Sequence, residues 1–62
     1  MELSDPERSA LNLIKSDPKH LTVAGHQMVN RCVKALLKYG LVKYDSKKNT
    51  GYAPTLAGLH VL

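Results

Sequence analysis

Apolar positions recur along this chain at two different periods, and the changes of period divide it into elements. Early on, Ala10, Leu11 and Ile14 fall three and four apart, with Leu13 at the edge of the same arc. That spacing predicts one buried face of an amphipathic helix. Asp5 is placed to cap its free backbone N–H groups, Pro6 suits the first helical position, and Glu7 complements the positive dipole end. Ser16-Asp17-Pro18 is the stop, because a proline disfavours helical geometry in the residue before it. This first helix is read as scaffold.

A second helix is predicted from Gln27 to Tyr39, where Val29, Cys32, Val33, Leu36 and Leu37 keep the helical period. Met28 and Tyr39 widen its apolar arc. On the opposite side Gln27, Arg31, Lys34 and Lys38 form one stripe, with Asn30 beside them. Gly40 supplies a left-handed stop, and Lys38 suits the negative end of the dipole. Residues 19–26, KHLTVAGH, carry no single pattern. Leu21 and Val23 alternate as in a short strand, Thr22 is a possible cap for a helix from Val23, and Gly25 allows a bend after one turn. One short turn or helix is the expectation there.

Beyond Gly40 the period falls to two. Leu41-Val42-Lys43-Tyr44 and Gly51-Tyr52-Ala53 alternate like half-buried strands, and Asp45-Ser46-Lys47-Lys48-Asn49-Thr50 between them has turn composition. Pro54 is expected to end the pairing, and Thr55 to cap a terminal helix, Leu56 to Leu62. The fold class is therefore α+β: two or three helices, a two-stranded β-hairpin and a short C-terminal helix, in one domain over 1–62.

Composition narrows what such a domain does. At 62 residues, without Phe or Trp, a single core only just suffices. The lone Cys32 excludes an internal disulfide, and no metal-ligand spacing surrounds it. Oligomerisation is then the expected source of extra stability. No apolar run reaches membrane-spanning length, and MELSDPERS lacks the features of a signal peptide, so a cytoplasmic setting is expected. Charge is segregated. Residues 1–26 hold three basic side chains against four acidic ones, whereas residues 27–62 hold six against Asp45 alone. Such a division suits a polyanion partner.

Catalysis finds no support in the pattern. His20, His26 and His60 are scattered, Cys32 lies within an apolar arc, and the serines and glycines form no elbow or phosphate loop. No enzyme activity, cofactor, metal or small-molecule substrate is expected.

The stretch VNRCVKALLKYGLV, Val29 to Val42, resembles the recognition helix and first wing strand of winged helix-turn-helix transcriptional regulators, most closely the broad group of MarR-type and PadR-type regulators. The matching positions are Val29, Arg31, Val33, Leu36, Gly40, Leu41 and Val42, and YAPTLAG, Tyr52 to Gly58, resembles the segment that leaves the wing. Asn30 stands where the family has Ser or Thr, Pro54 replaces an apolar residue, and only HLTVAGH occupies the place of a full second helix. No stretch here corresponds to the family's dimerisation helices.

The resemblance implies a DNA-binding module, a small transcriptional regulator or accessory factor, with a recognition helix (27–39) and a basic wing (41–54). Gln27, Asn30 and Arg31 would face base edges, Lys34 and Lys38 phosphates, and Lys43, Lys47 and Lys48 the adjacent backbone or minor groove. Double-stranded DNA is the expected partner, with a second copy or a companion protein to supply specificity. The rival expectation is a protein-interaction module using apolar surface at Met28, Tyr39, Leu59, Val61 and Leu62.

Overall fold

The structure, a computed structural model, describes residues 2–62. Among these the chain runs α1 (Asp5–Ser16), α2 (Val23–Lys38), β1 (Val42–Tyr44), β2 (Tyr52–Pro54) and α3 (Leu56–His60), a small α+β arrangement of three helices and one antiparallel hairpin.

The cap of α1 is Ser4, one residue earlier than the sequence suggests. Its hydroxyl accepts the Glu7 N–H at 3.3 Å while the Glu7 carboxylate accepts the Ser4 N–H at 2.9 Å. This reciprocal box satisfies two free donors, which Asp5 alone would not, and makes Asp5 the first helical residue. At the other end Asp17 takes a left-handed conformation (φ 48°) and donates its N–H to Leu13 O. Asp is among the few side-chain-bearing residues that adopt this geometry readily.

Helix α2 begins at Val23, four residues before Gln27, so residues 23–26 are its first turn and form no separate element. Thr22 caps it by accepting the Gly25 N–H at 3.0 Å. Gly25 is buried there, and a Cβ would stand 2.9 Å from Leu21 Cδ2. Glycine thus lets the preceding turn fold back onto the helix instead of bending it. The helix closes at Tyr39: Leu41 donates to Leu36 O and Gly40, at φ 73°, to Leu37 O. These two bonds are the Schellman pattern, and Leu41 follows them into the core.

In the hairpin Val42 faces Pro54, Lys43 faces Ala53 and Tyr44 faces Tyr52. The second strand is shifted one residue from expectation, and Pro54 pairs instead of ending the ladder. The reason lies in the alternation of the ladder. Thr55 N–H bonds Leu41 O and Asp45 N–H bonds Gly51 O, so Val42 and Pro54 form a non-hydrogen-bonded pair where no N–H is required. Tyr44 and Tyr52 occupy another such close pair, with ring centroids 5.1 Å apart.

The core joins α1, α2 and the start of β1, with Leu11, Ile14 and Leu36 fully buried. Cys32 is buried within it, and Met28, Val61 and Leu62 pack against it. Part of the widened apolar arc of α2 is therefore covered by this chain itself: Met28, Val61 and Leu62 are half-buried, whereas Tyr39 stays exposed. Helix α3 stops at His60, two residues short of the expected span, and Arg8 Nη1 bonds Val61 O at 3.1 Å. No helix among the described residues is long and apolar enough to cross a membrane.

Candidate nucleic-acid interface

All eight residues singled out from the sequence are exposed: Gln27, Asn30, Arg31, Lys34, Lys38, Lys43, Lys47 and Lys48. Five of them lie on one arc of α2, opposite the face that carries Val29, Cys32, Val33 and Leu36 into the core. Burial of the apolar face thus fixes the direction of the polar stripe. Arg8 donates to a main-chain carbonyl, whereas Arg31 and these five lysines make no side-chain hydrogen bond among the described residues.

Lys43 stands on β1, five residues after Lys38, and pairs with the buried Ala53. Lys47 and Lys48 occupy the hairpin loop, which its own backbone shapes. Asp45 Oδ1 accepts the Lys47 N–H at 3.0 Å, Asp45 O accepts the Lys48 N–H at 3.1 Å, and Lys48 O accepts the Gly51 N–H at 3.1 Å. Gly51 has φ 82°, the left-handed geometry needed to rejoin β2. The only acid of residues 27–62 is thereby tied to backbone beneath the two lysines.

A contact that the sequence does not announce anchors this loop. Asp17 Oδ1 accepts the Thr50 N–H at 3.1 Å, and Asn49 Nδ2 donates to Asp17 O at 3.1 Å and to Oδ2 at 3.4 Å. Asp17 closes α1, and α2 begins six residues later. The loop with Lys47 and Lys48 is therefore tied to the turn that joins α1 to α2. Lys34 and Lys38 lie toward the opposite end of α2, where the chain passes through Gly40 to Lys43. Asn30 and Arg31 lie in the middle of the helix. No local motif could have revealed the clasp, since its partners are more than thirty residues apart.

Two titratable groups outside this surface are shifted by their surroundings. Burial, and secondarily the charge of Glu7, push the Cys32 thiol up from its ordinary range, more than Arg31 pulls it down. Such a thiol stays protonated and a poor nucleophile at neutral pH. Burial followed by the influence of Tyr44 raises the Tyr52 phenol. His20, His26 and His60 are all exposed, and among the described residues there is neither a ligand-sized pocket nor a metal-ligating group of three.

Comparison of the chain with protein-family models, curated proteins and solved structures finds no match.

Proposed function

We propose that this chain is a DNA-binding module of winged helix-turn-helix type, a small transcriptional regulator or accessory factor in which α2 is the recognition helix and the β1–β2 hairpin the wing. One observation carries the reading: Arg31, Lys34, Lys38, Lys43, Lys47 and Lys48 are all exposed on these two elements, and the two acids at the hairpin loop, Asp45 and Asp17, both accept backbone N–H groups. Sequence and packing agree on this separation, because the same helix that buries its apolar arc turns its cations outward.

In this reading α2 enters the major groove, with Gln27, Asn30 and Arg31 toward base edges and Lys34 and Lys38 toward phosphates. The hairpin lysines meet the neighbouring backbone or minor groove and position the domain without reading sequence. A single copy offers few base contacts, so specificity comes from a second copy or a companion protein on an adjacent site. A duplex titration followed by backbone amide shifts tests this. Contact with roughly four to six phosphates gives a slope of about −4 to −5 for log affinity against log salt. A flat response, or shifts confined to α1, would reject it.

A second reading rests on apolar exposure. Tyr39 and Leu59 are 42% exposed and Leu56 is 78% exposed. The Thr55 hydroxyl, donating to Gly40 O at 2.6 Å, brings the end of α2 against the start of α3, where two of these residues sit. Such a patch suits docking of another protein. Apolar docking responds little to salt, so the same titration separates the two readings.

A further inference from the structure

The Asp17 clasp joins two segments of the chain, and each carries lysine. On one side is the turn between α1 and α2, with Lys19 exposed two residues after Asp17. On the other is the hairpin loop, with Lys47 and Lys48 immediately before Asn49. All three lysines stand within two residues of a clasp partner.

We propose that Lys19 together with Lys47 and Lys48 forms one phosphate-binding edge at the start of α2, and that Asp17 is the residue that positions it. This rests on the DNA reading above and deepens it by adding a contact segment, the α1–α2 turn, and the device that aligns it with the wing. A free loop of seven residues would present its lysines in many orientations, and ordering them would oppose binding. Here the loop is fixed in advance by bonds at both Asp17 oxygens and its carbonyl. The carboxylate would repel a polyanion if it faced one. It is instead partly buried and accepts N–H groups from Asn49 and Thr50, so its charge is directed into the clasp.

These opposing effects give the test its sign. Removing an acid near DNA should tighten binding, whereas releasing a positioned loop should weaken it. Duplex affinity against salt is measured for the wild-type chain, Asp17→Ala, Asp17→Asn, Lys19→Gln and the Lys47→Gln/Lys48→Gln pair. Each lost phosphate contact reduces the steepness of the slope by about 0.9. Lys19→Gln should lose one such step, and Asp17→Ala about two while binding more weakly. Asp17→Asn, which keeps an acceptor for the Thr50 N–H, should retain most of the wild-type slope.

Introduced into the Lys47→Gln/Lys48→Gln chain, Asp17→Ala should change the slope no further, an outcome that general loss of structure would not produce. Amide exchange at Thr50 reports directly whether the clasp has opened. Wild-type slopes in both Asp17→Ala and Lys19→Gln, or tighter binding by Asp17→Ala, overturn the shared edge while leaving the DNA reading intact. A wild-type chain that ignores duplex overturns both. Lys19→Gln alters only an exposed turn and decides the Lys19 contact even if Asp17→Ala does not fold, and Asp17→Asn then decides the positioning role through its slope and Thr50 exchange.

Discussion

The α-carbon of Gly58 packs against the carbonyl of Leu41 so closely that a Cβ at this position would overlap the oxygen. The contact is part of one junction. Leu41 O accepts the Thr55 N–H at 2.9 Å, and the Thr55 hydroxyl both donates to Gly40 O and accepts the Gly58 N–H at 3.2 Å. The end of α2, the first residue before β1 and the first turn of α3 are locked together by a threonine and a glycine three residues apart. That spacing is the T-x-x-G of the segment TLAG, and here it has a direct physical cause.

Gly58→Ala should therefore displace α3 and destabilise the chain by about 1–3 kcal/mol, the usual range for overpacking. Gly40→Ala meets no neighbouring atom, and its cost is only the left-handed backbone, about 1–2 kcal/mol. Denaturant unfolding followed by circular dichroism separates them. Amide shifts in Gly58→Ala should spread to Leu41 and Thr55, whereas those of Gly40→Ala stay at the end of α2.

Thr55→Ala removes a helix cap and leaves the Gly40 carbonyl without its hydroxyl partner. A loss of about 1–2 kcal/mol is expected, near the upper range for a cap. Thr55→Ser keeps the oxygen and should recover most of the stability in the same unfolding assay. Equal losses in both variants would show that the methyl group, not the hydroxyl, matters.

How much of this was legible depended on the range of the interaction. The two main helices, the hairpin and the Thr55 cap follow from local period and composition, and the exposure of the α2 stripe follows from burial of the opposite face. The first turn of α2 is obscured in the sequence because Gly25 reads as a breaker, yet it is buried inside the helix, where a Cβ would push on the Leu21 side chain. Ser4 and Asp5 are both good caps by sequence, and the reciprocal bond with Glu7 decides for Ser4. Pro54 reads as the end of pairing because ladder phase follows only from the register. The Asp17 clasp was beyond reach, since its partners meet only after the hairpin folds back.

Cys32 gives a pH prediction. The folded chain holds the thiol protonated, with its pKa raised mainly by burial, so the unfolded chain loses this proton first as pH rises. The contribution to stability is full below about pH 8.5, the ordinary thiol value, and is lost as pH climbs through the raised folded value. Wild-type unfolding midpoints should consequently fall more steeply above that pH than those of Cys32→Ala. Alkylation of the thiol at neutral pH should be slow in the folded chain and rapid in denaturant. A fast native reaction would mean that Cys32 is accessible and that its burial does not govern it.

Arg31 is the residue for which reading and anchoring make different predictions. It lies midway along the exposed arc of α2, one residue from Asn30, and makes no side-chain hydrogen bond among the described residues. If its guanidinium contacts a guanine edge with two N–H donors, Arg31→Ala should reduce discrimination between preferred and random duplexes by about 1–3 kcal/mol. Replacing Lys47 and Lys48 together should instead weaken all duplexes alike and flatten the salt slope by about two steps of 0.9. Competition binding with one selected and one scrambled duplex, at two salt concentrations, measures both quantities at once. Should Arg31→Ala weaken the two duplexes equally, the guanidinium clamps a phosphate. Sequence readout would then have to come from Gln27 and Asn30, the neutral polar side chains of the same exposed arc, or from a second protein.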